Sequence, residues 1–359
     1  PDGAWLPASG SRLAAAYERW YQESCRQLLR YALIDASGAV AAQALDDADE
    51  AWAQVRDRYR AHPSVRAGIE LMDTCLRSLP AILGGGIAAT TVMFPDSSMQ
   101  LVENVHRNHP IADYFNEGVA ATVTDYVRHR VAREPGARLR ILEIGAGTGG
   151  TSSKVLPGLL PWREHIDEYR YTDLSKSFLF YAEDTYAPAA PFLKTAILDI
   201  EAPPANGHPH ADKFGSYDIV IAANVLHATR NIGRTLRNAH AFMRDGGVLV
   251  LNEMSENCIF SHLTFGLLEG WWRYDDEPAR IPGCPGLFPA EWQRQLERVG
   301  FDDVHFPLDS ALPLGQQVIV AQCRQAGRPA PERDDAAGEA VARDGGALEP
   351  TLAALLADV

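Results

Sequence analysis

The sequence predicts an α/β fold in which a helical region precedes a seven-stranded, mostly parallel sheet with an antiparallel terminal strand pair. Three features lead to this prediction. Apolar residues recur at helical spacing before residue 139, and short apolar segments then alternate with helical ones. The last two apolar segments are joined by a short connection containing Pro307 and Pro313, which suits an antiparallel pair better than a helical crossover.

The amino-terminal region is predicted to be helical. Between residues 11 and 79 the apolar residues follow one another mostly in steps of three and four, as on one face of a helix. We predict helices over residues 46–60 and 65–79. A further helix begins near Ala112 and carries Val119, Val123 and Val127 on one face.

The longest uncharged run lies between Arg77 and Asp96, where Pro80 and three consecutive glycines interrupt it. We therefore expect a buried connection there and no membrane span.

The strands and the segments around them follow from the same patterns. Residues 326–359 have the composition of a linker and tail, in which residues 352–359 could form a short helix. The predicted strands are residues 139–144, 168–172, 192–198, 217–222, 247–252, 303–306 and 317–322.

Composition excludes several classes of function. The net charge of −14 and the lack of a basic stripe argue against a nucleic-acid partner. The five cysteines are scattered without a C-x-x-C motif, so neither a disulfide framework nor a zinc site is indicated, and a reducing cytoplasm fits. The chain begins Pro-Asp-Gly, and we expect it to be part of a longer protein.

A glycine turn follows the first predicted strand. Gly145, Gly147 and Gly150 match G-x-G-x-x-G, whereas Gly145, Gly147 and Gly149 match G-x-G-x-G, so dinucleotide and methyltransferase folds both remain possible. Glu143, two residues before the first glycine, slightly favours a methyltransferase, and we predict that Glu143, Gly145 and Gly147 contact the cofactor.

Acidic residues stand at the ends of the next two strands. Asp173 could accept hydrogen bonds from both ribose hydroxyls of a nucleotide-like cofactor, and Asp199 could accept one from an adenine amino group beside an apolar wall. Their neighbours Leu174 and Ile200 are further candidate cofactor contacts. Either acid alone would more often be solvated, but their order after a glycine turn favours a cofactor site.

A histidine and a glutamate follow the fourth and fifth strands. His227 lies in the segment that starts at Asn224, and Glu253 directly follows Asn252. Histidine exchanges protons near neutral pH, and a carboxylate would fix its tautomer and make it a stronger base. We predict that His227 and Glu253 are catalytic.

These residues resemble the C-methyltransferase domain of polyketide synthases. The aromatic segment 263–272 is the most specific part of the resemblance. The matching segments are residues 109–116 (HPIADYFN), the glycine turn, residues 171–173 (YTD), 224–229 (NVLHAT), 252–253 (NE) and 263–272 (LTFGLLEGWW).

The resemblance implies a Rossmann-like class I methyltransferase core with S-adenosylmethionine as cofactor. It also implies an acyl carrier protein that presents a phosphopantetheine-linked β-ketoacyl substrate, and neighbouring synthase domains. His227 would remove a proton from the α-carbon, Glu253 would orient His227, and the enolate would attack the methyl group, with no metal needed.

The resemblance also implies a division of the chain and further site residues. Residues 1–116 would form a helical lid subdomain, residues 117–325 the core, with a lid insertion at 254–289, and residues 326–359 the linker and tail. Tyr114, Asn116 and Asn224 would contact the cofactor. Phe265, Trp271 and Trp272 would line the substrate channel, although core packing is nearly as good an explanation for these aromatic residues.

Three other functions stay open at this point. An O-methyltransferase domain would keep the fold and the cofactor, a degenerate domain would be structural only, and a nicotinamide-dependent reductase is allowed by the glycine spacing but disfavoured by the terminal strand pair. His208 and His210 lie in a Pro/Gly-rich loop without an evident third ligand, so we expect them to be solvated rather than bound to a metal.

Overall fold

The computed structural model describes residues 13–40, 48–62, 65–106, 109–205 and 207–324. These residues form two compact units. The first unit takes the described residues up to Pro110, together with Asn257–Tyr274 and Arg280–Pro285. The second takes Ile111–Glu256, Asp275–Ala279 and the described residues from Gly286 onward. The predicted tail, with its short helix at residues 352–359, lies outside the described residues.

The first unit is helical. Its core is built from the apolar faces of its helices and includes Trp20, Leu71, Ile82 and Met93. Two of the predicted helices are confirmed as α2 and α3, whereas the short α4 and α5 were not predicted. The helices are α1 (Glu18–Arg30), α2 (Ala48–Tyr59), α3 (Arg66–Leu83), α4 (Ala89–Met93), α5 (Gln100–His106) and α10 (Ile259–Leu263).

The connection after α3 differs from its prediction. Helix α3 continues through Pro80 to Leu83, and the three glycines that follow are exposed. The prediction of a buried connection was wrong for the glycines, which add no apolar surface, whereas Ala89, Val92 and Met93 of α4 are buried in the core. Within the described residues, no helix combines the length and apolar character needed to cross a membrane.

The second unit contains a seven-stranded sheet in the order β3-β2-β1-β4-β5-β7-β6. Strands β1 to β5 are parallel, and β7 is antiparallel to both β5 and β6. All seven predicted strands and the antiparallel ending are confirmed. The strands are β1 (Leu139–Ile144), β2 (Ile166–Asp173), β3 (Leu193–Ile197), β4 (Tyr217–Ala223), β5 (Met243–Met254), β6 (Phe301–His305) and β7 (Gln316–Cys323).

Helices cover both faces of this sheet. One face packs against α6 (Pro110–Arg133), α7 (Ser152–Leu159) and α8 (Lys176–Thr185), and the other packs against α9 (Ile232–Phe242) and α11 (Pro289–Val299). Side chains alternate between the faces, so that Ile219 and Ile221 join the first cluster while Val220 joins the second. Because both faces are buried, the central strands read as continuous apolar runs, which made them predictable.

Strand order reverses between β1 and β4, which are neighbours although they are not consecutive in the chain. Open α/β sheets bind ligands at the carboxyl ends of the strands at such a reversal. The turn after β1 and the segment after β4 are therefore brought together at the edge where the sequence predicts the site.

A single side chain of β7 holds both ends of the segment that joins β5 to α11. Gln317 is buried, and its Nε2 donates to the carbonyl oxygen of Met254 at 3.1 Å and to that of Leu287 at 2.9 Å. Gln317 also lies opposite Glu253 in the β5–β7 register. The strand end that carries Glu253 is thereby fixed to its neighbour.

Candidate functional site

The glycine turn after β1 depends on glycine for two separate reasons. Gly145, Gly147 and Gly149 have φ values of 61°, 57° and 76°, in the left-handed region that favours glycine. A Cβ atom at Gly145 would also lie 2.2 Å from a methyl carbon of Val225, so the turn packs directly on the segment after β4. At Gly147, by contrast, a Cβ atom would come no closer than 3.9 Å to the described atoms.

Asp173, the last residue of β2, is tied to this turn. Its Oδ2 accepts a hydrogen bond from the backbone N–H of Gly147 at 3.0 Å, and its Oδ1 accepts one from Ser175 at 2.8 Å. Burial raises the pKa of the Asp173 carboxyl, although the backbone hydrogen bonds oppose the shift. The structure thus places Asp173, the residue predicted to bind the ribose, beside the glycine turn.

Glu143 lies beneath the turn, fully buried near the end of β1. Its Oε2 accepts a hydrogen bond from the Tyr169 hydroxyl at 2.6 Å and another from the Ser152 hydroxyl at the start of α7. Burial raises its pKa from an ordinary value of 4.5 to about 7, against the lowering effect of these two donors. The carboxylate therefore links β1, β2 and α7, while direct contact with a cofactor stays a prediction.

The predicted adenosine side has an exposed apolar residue next to Asp173. Leu174 is 67% exposed, whereas Ile200 is buried at 7%. Asp199 is exposed, and its Oδ1 accepts the backbone N–H of Glu201 at 2.9 Å. An exposed leucine next to a strand-end acid that is hydrogen-bonded to a glycine turn suits a flat, partly apolar ligand.

The predicted catalytic pair is formed in the structure. His227 lies in a 3₁₀ turn, Leu226–Ala228, after β4, and its Nδ1 is 2.5 Å from Oε2 of Glu253 at the end of β5. His227 is 7% exposed and Glu253 is fully buried. The other carboxylate oxygen, Oε1, accepts backbone N–H groups from Leu226 at 2.8 Å and Val225 at 3.3 Å.

This arrangement favours one tautomer of the histidine. Because both Glu253 oxygens act as acceptors, the neutral imidazole carries its proton on Nδ1 and its lone pair on Nε2. An imidazole held in this way by a buried carboxylate can accept a proton at Nε2 and is stabilised when it becomes charged. The pair therefore has the geometry of a general base.

Asn224 connects the pair to the sheet. It adopts a left-handed conformation with φ 53°, unusual for a residue other than glycine, and its backbone N–H donates to the carbonyl oxygen of Asn252 at 2.7 Å. This bond joins the segments that carry His227 and Glu253. A contact between Asn224 and the cofactor stays a prediction.

Helix α6 reaches the glycine turn through Asn116. This buried side chain accepts a hydrogen bond through its Oδ1 from the Thr151 hydroxyl at 2.8 Å, just before α7. Tyr114 is 2% exposed and packs edge-on against Phe115, with ring centroids 5.3 Å apart. Asn116 is thus placed at the turn, whereas Tyr114 is a core residue in this arrangement, and cofactor binding by either stays a prediction.

The aromatic residues of the insertion belong to the first unit. Phe265 and Trp272 pack against its core, and the Trp272 Nε1 donates to the carbonyl oxygen of Gly266 at 2.8 Å. Trp271 is 8% exposed. Core packing accounts for these contacts, and a role of Phe265, Trp271 and Trp272 in lining a substrate channel stays a prediction.

His208 and His210 both make polar contacts with nearby backbone groups. His208 Nδ1 accepts the backbone N–H of His210 at 3.1 Å, and His210 Nε2 lies 2.7 Å from the carbonyl oxygen of Ile197. In the part of the chain that the structure describes, no group of three or more His, Cys, Asp or Glu side chains could hold a metal ion.

Sequence reasoning missed two tyrosines that hold the glycine turn. The Tyr171 hydroxyl donates to the carbonyl oxygen of Gly147 at 2.7 Å, and the Tyr186 hydroxyl donates to that of Gly149 at 3.1 Å. Tyr171 lies two residues before Asp173 in β2 and so shares its side of the strand. That spacing was the available signal for Tyr171, whereas nothing in the sequence brings Tyr186 to the turn.

The site fits a nucleoside cofactor such as S-adenosylmethionine. The turn is open at Gly147, a carboxylate stands at the end of β2, and exposed Leu174 follows it. A proton-accepting pair lies at the same edge of the sheet, after β4 and β5. These features combine a cofactor cradle with a general base.

Comparison with known proteins agrees with this geometry. A family model described as "Methyltransferase domain" matches residues 142–249. The polyketide synthase PksR of Bacillus subtilis (strain 168) is 47% identical over 311 residues, which is 85% of this chain but only 12% of PksR. The chain therefore spans a small part of this relative.

Two solved structures resemble most of the chain. The crystal structure of the DszA carbon methyltransferase has a TM-score of 0.79 and 32% sequence identity, and the match covers 88% of this chain and 81% of DszA. The trans-methyltransferase CalH, solved in complex with SAH, has a TM-score of 0.67 and 27% identity, covering 87% of this chain and 84% of CalH.

Proposed function

Since this chain belongs to the carbon-methyltransferase domains of polyketide synthases, we propose that it methylates the α-carbon of a β-ketoacyl chain carried on an acyl carrier protein. The observation that carries the proposal is the buried His227–Glu253 pair, whose nitrogen and oxygen atoms are 2.5 Å apart at the carboxyl edge of the sheet. A β-ketoacyl α-carbon lies between two carbonyl groups, so a single well-placed base suffices to deprotonate it.

The cofactor is S-adenosylmethionine, in keeping with the methyltransferase family and with the SAH bound to CalH. Bound S-adenosylmethionine supplies an electrophilic methyl group. We propose that the open turn at Gly147, Asp173 and Leu174 hold it, with the Asp173 carboxylate accepting from the ribose hydroxyls.

The chain's own residues would then carry out one proton transfer. Nε2 of His227 takes the proton from the substrate α-carbon, and Oε2 of Glu253 accepts the Nδ1 hydrogen bond that stabilises the resulting imidazolium. The backbone N–H groups of Leu226 and Val225 hold the carboxylate in place. Orientation of the base before the substrate arrives supplies part of the acceleration.

We propose that this chain is one domain of a larger synthase. Because it spans 12% of PksR, neighbouring synthase domains are expected, and the acyl carrier protein remains our proposal for the substrate's carrier. We infer a reducing compartment such as the cytoplasm, because none of the five cysteines, all of which lie among the described residues, forms a disulfide.

The test is a reconstituted reaction. The domain is incubated with S-adenosylmethionine and a panel of β-ketoacyl carrier proteins of different chain lengths, and the acyl products are weighed by mass spectrometry. We expect a mass gain of one methylene unit, abolished in a His227→Ala variant that still binds the cofactor. A methyl-free product across the panel, with cofactor binding intact, would contradict the proposal.

A further inference from the structure

The glycine turn is held by side chains from two elements besides its own strand. Gly147 is held on both sides, since its N–H donates to Asp173 and its carbonyl oxygen accepts from Tyr171 at 2.7 Å. The carbonyl oxygen of Gly149 accepts from Tyr186, just after α8, at 3.1 Å. Two peptide groups of the turn thus have their orientation set by tyrosine hydroxyls.

The two tyrosines are themselves held in place. Tyr171 is fully buried in β2, and its ring centroid lies 6.4 Å from that of Tyr186. A third ring, Tyr181, meets Tyr186 edge-on at 6.1 Å. Burial and the Glu143 carboxylate raise the pKa of Tyr171, so its hydroxyl stays protonated and able to donate at neutral pH.

The turn is also shaped to receive Tyr186. A Cβ atom at Gly149 would lie 2.6 Å from the Tyr186 hydroxyl oxygen and 2.8 Å from a ring carbon. With φ 76° at Gly149, any other residue would be strained and would push the tyrosine away. Glycine at 149 therefore makes room for Tyr186, whereas the space at Gly147 faces no described atom closer than 3.9 Å.

We propose that the hydroxyl groups of Tyr171 and Tyr186 are positioning groups, which fix the peptide planes of Gly147 and Gly149 in the orientation that S-adenosylmethionine binding requires. The proposal rests on the cofactor site described above and not on the identity of the methyl acceptor. Without these hydroxyls the turn can rotate its carbonyl groups towards water, and the cofactor must then reorder it.

The test is cofactor affinity in hydroxyl-free variants. Binding of S-adenosylhomocysteine is measured by isothermal titration calorimetry for the wild type, Tyr171→Phe, Tyr186→Phe and the double variant. Each single loss of a neutral hydrogen bond should weaken binding by about 3- to 10-fold, and the double variant should bind more weakly than either. Because this measurement needs no acyl substrate, its result does not depend on whether the proposed methylation reaction is correct.

Tyr217→Phe is the matched control. Tyr217 is also fully buried, and its hydroxyl donates to Glu168 at 3.1 Å. It is the first residue of β4, so it lies at the opposite end of the strands from the glycine turn. We expect Tyr217→Phe to lower the melting temperature without changing affinity. Circular dichroism checks that each variant is folded. Because Tyr186 is half-buried and lies outside β2, Tyr186→Phe leaves β2 intact.

The proposal is overturned if both single Phe variants bind S-adenosylhomocysteine within about twofold of wild type while melting earlier, as the control does. The tyrosines would then only stabilise the fold.

Discussion

Glutamine in place of Glu253 should disable His227 while leaving the shape of the site unchanged. In the wild type, Oε1 accepts the backbone N–H groups of Leu226 and Val225, and Oε2 faces Nδ1 of His227. The amide oxygen of glutamine will take the Oε1 position, because the opposite placement would set its NH₂ against two backbone donors. A buried unsatisfied donor costs about 1–3 kcal/mol, which decides the orientation.

The NH₂ group of the introduced glutamine then faces Nδ1 of His227. That nitrogen must act as an acceptor, so the ring proton moves to Nε2, the nitrogen that has to take the substrate proton. The same exchange of tautomer in the serine-protease triad costs roughly 10⁴-fold in kcat, and a general base contributes roughly 10²- to 10⁴-fold. We expect a loss of about 10³-fold, equivalent to about 4 kcal/mol in the barrier.

The assay is single-turnover methyl transfer to a β-ketoacyl carrier protein, with S-adenosylhomocysteine affinity measured in parallel. Glu256→Gln is the control, because Glu256 is exposed and lies three residues further along the chain. The rate should fall only in Glu253→Gln, and cofactor affinity should be kept in both. A folded Glu253→Gln domain with a rate within about tenfold of wild type would refute this account of the pair.

Three further outcomes follow from the same geometry. His227→Ala should lower kcat by about 10²- to 10⁴-fold with cofactor affinity within about twofold, and retained turnover would remove His227 as the base. Asp173→Ala should weaken S-adenosylhomocysteine binding by about 10- to 100-fold, because a charged acceptor is lost, and unchanged affinity in a titration would exclude Asp173 from the cofactor site. The pKa of Glu143 is raised from 4.5 to about 7 in the folded state, so the folded state binds more protons than the unfolded state between pH 4.5 and about pH 7. The free energy of unfolding of the wild type should therefore fall by about 3 kcal/mol as the pH rises through this range. Urea unfolding at pH 5 and pH 8 should show this fall in wild type but not in Glu143→Gln, and equal falls in both would contradict it.

The central strands β1, β4 and β5 were predictable because their burial on both faces leaves a nearly continuous apolar run in the sequence. Six of the seven predicted strands begin and end within two residues of the observed ones. Strand β5 is longer, from Met243, because its first residues also pair with Tyr217 at the start of β4. Such pairing depends on a neighbouring strand and leaves no apolar signal of its own.

The site was predictable only in part. Strand order brings His227 and Glu253 together, and that order follows from the fold, so the pair could be foreseen. The contact of Tyr186 with the glycine turn could not be foreseen, because Tyr186 is brought to Gly149 by the course of the chain after α8. The contacts of Glu143 likewise depend on Tyr169 and Ser152, which no motif joins to it.

Carbon methylation is tested most directly by the bond that forms. The domain is given S-adenosylmethionine labelled with ¹³C in the methyl group and a β-ketoacyl carrier protein labelled with ¹³C at the α-carbon, and the released product is examined by NMR. Transfer to carbon predicts one-bond coupling between the two labelled atoms, lost in Glu253→Gln. A methylated product without that coupling, with its new methyl group on oxygen, would contradict the account.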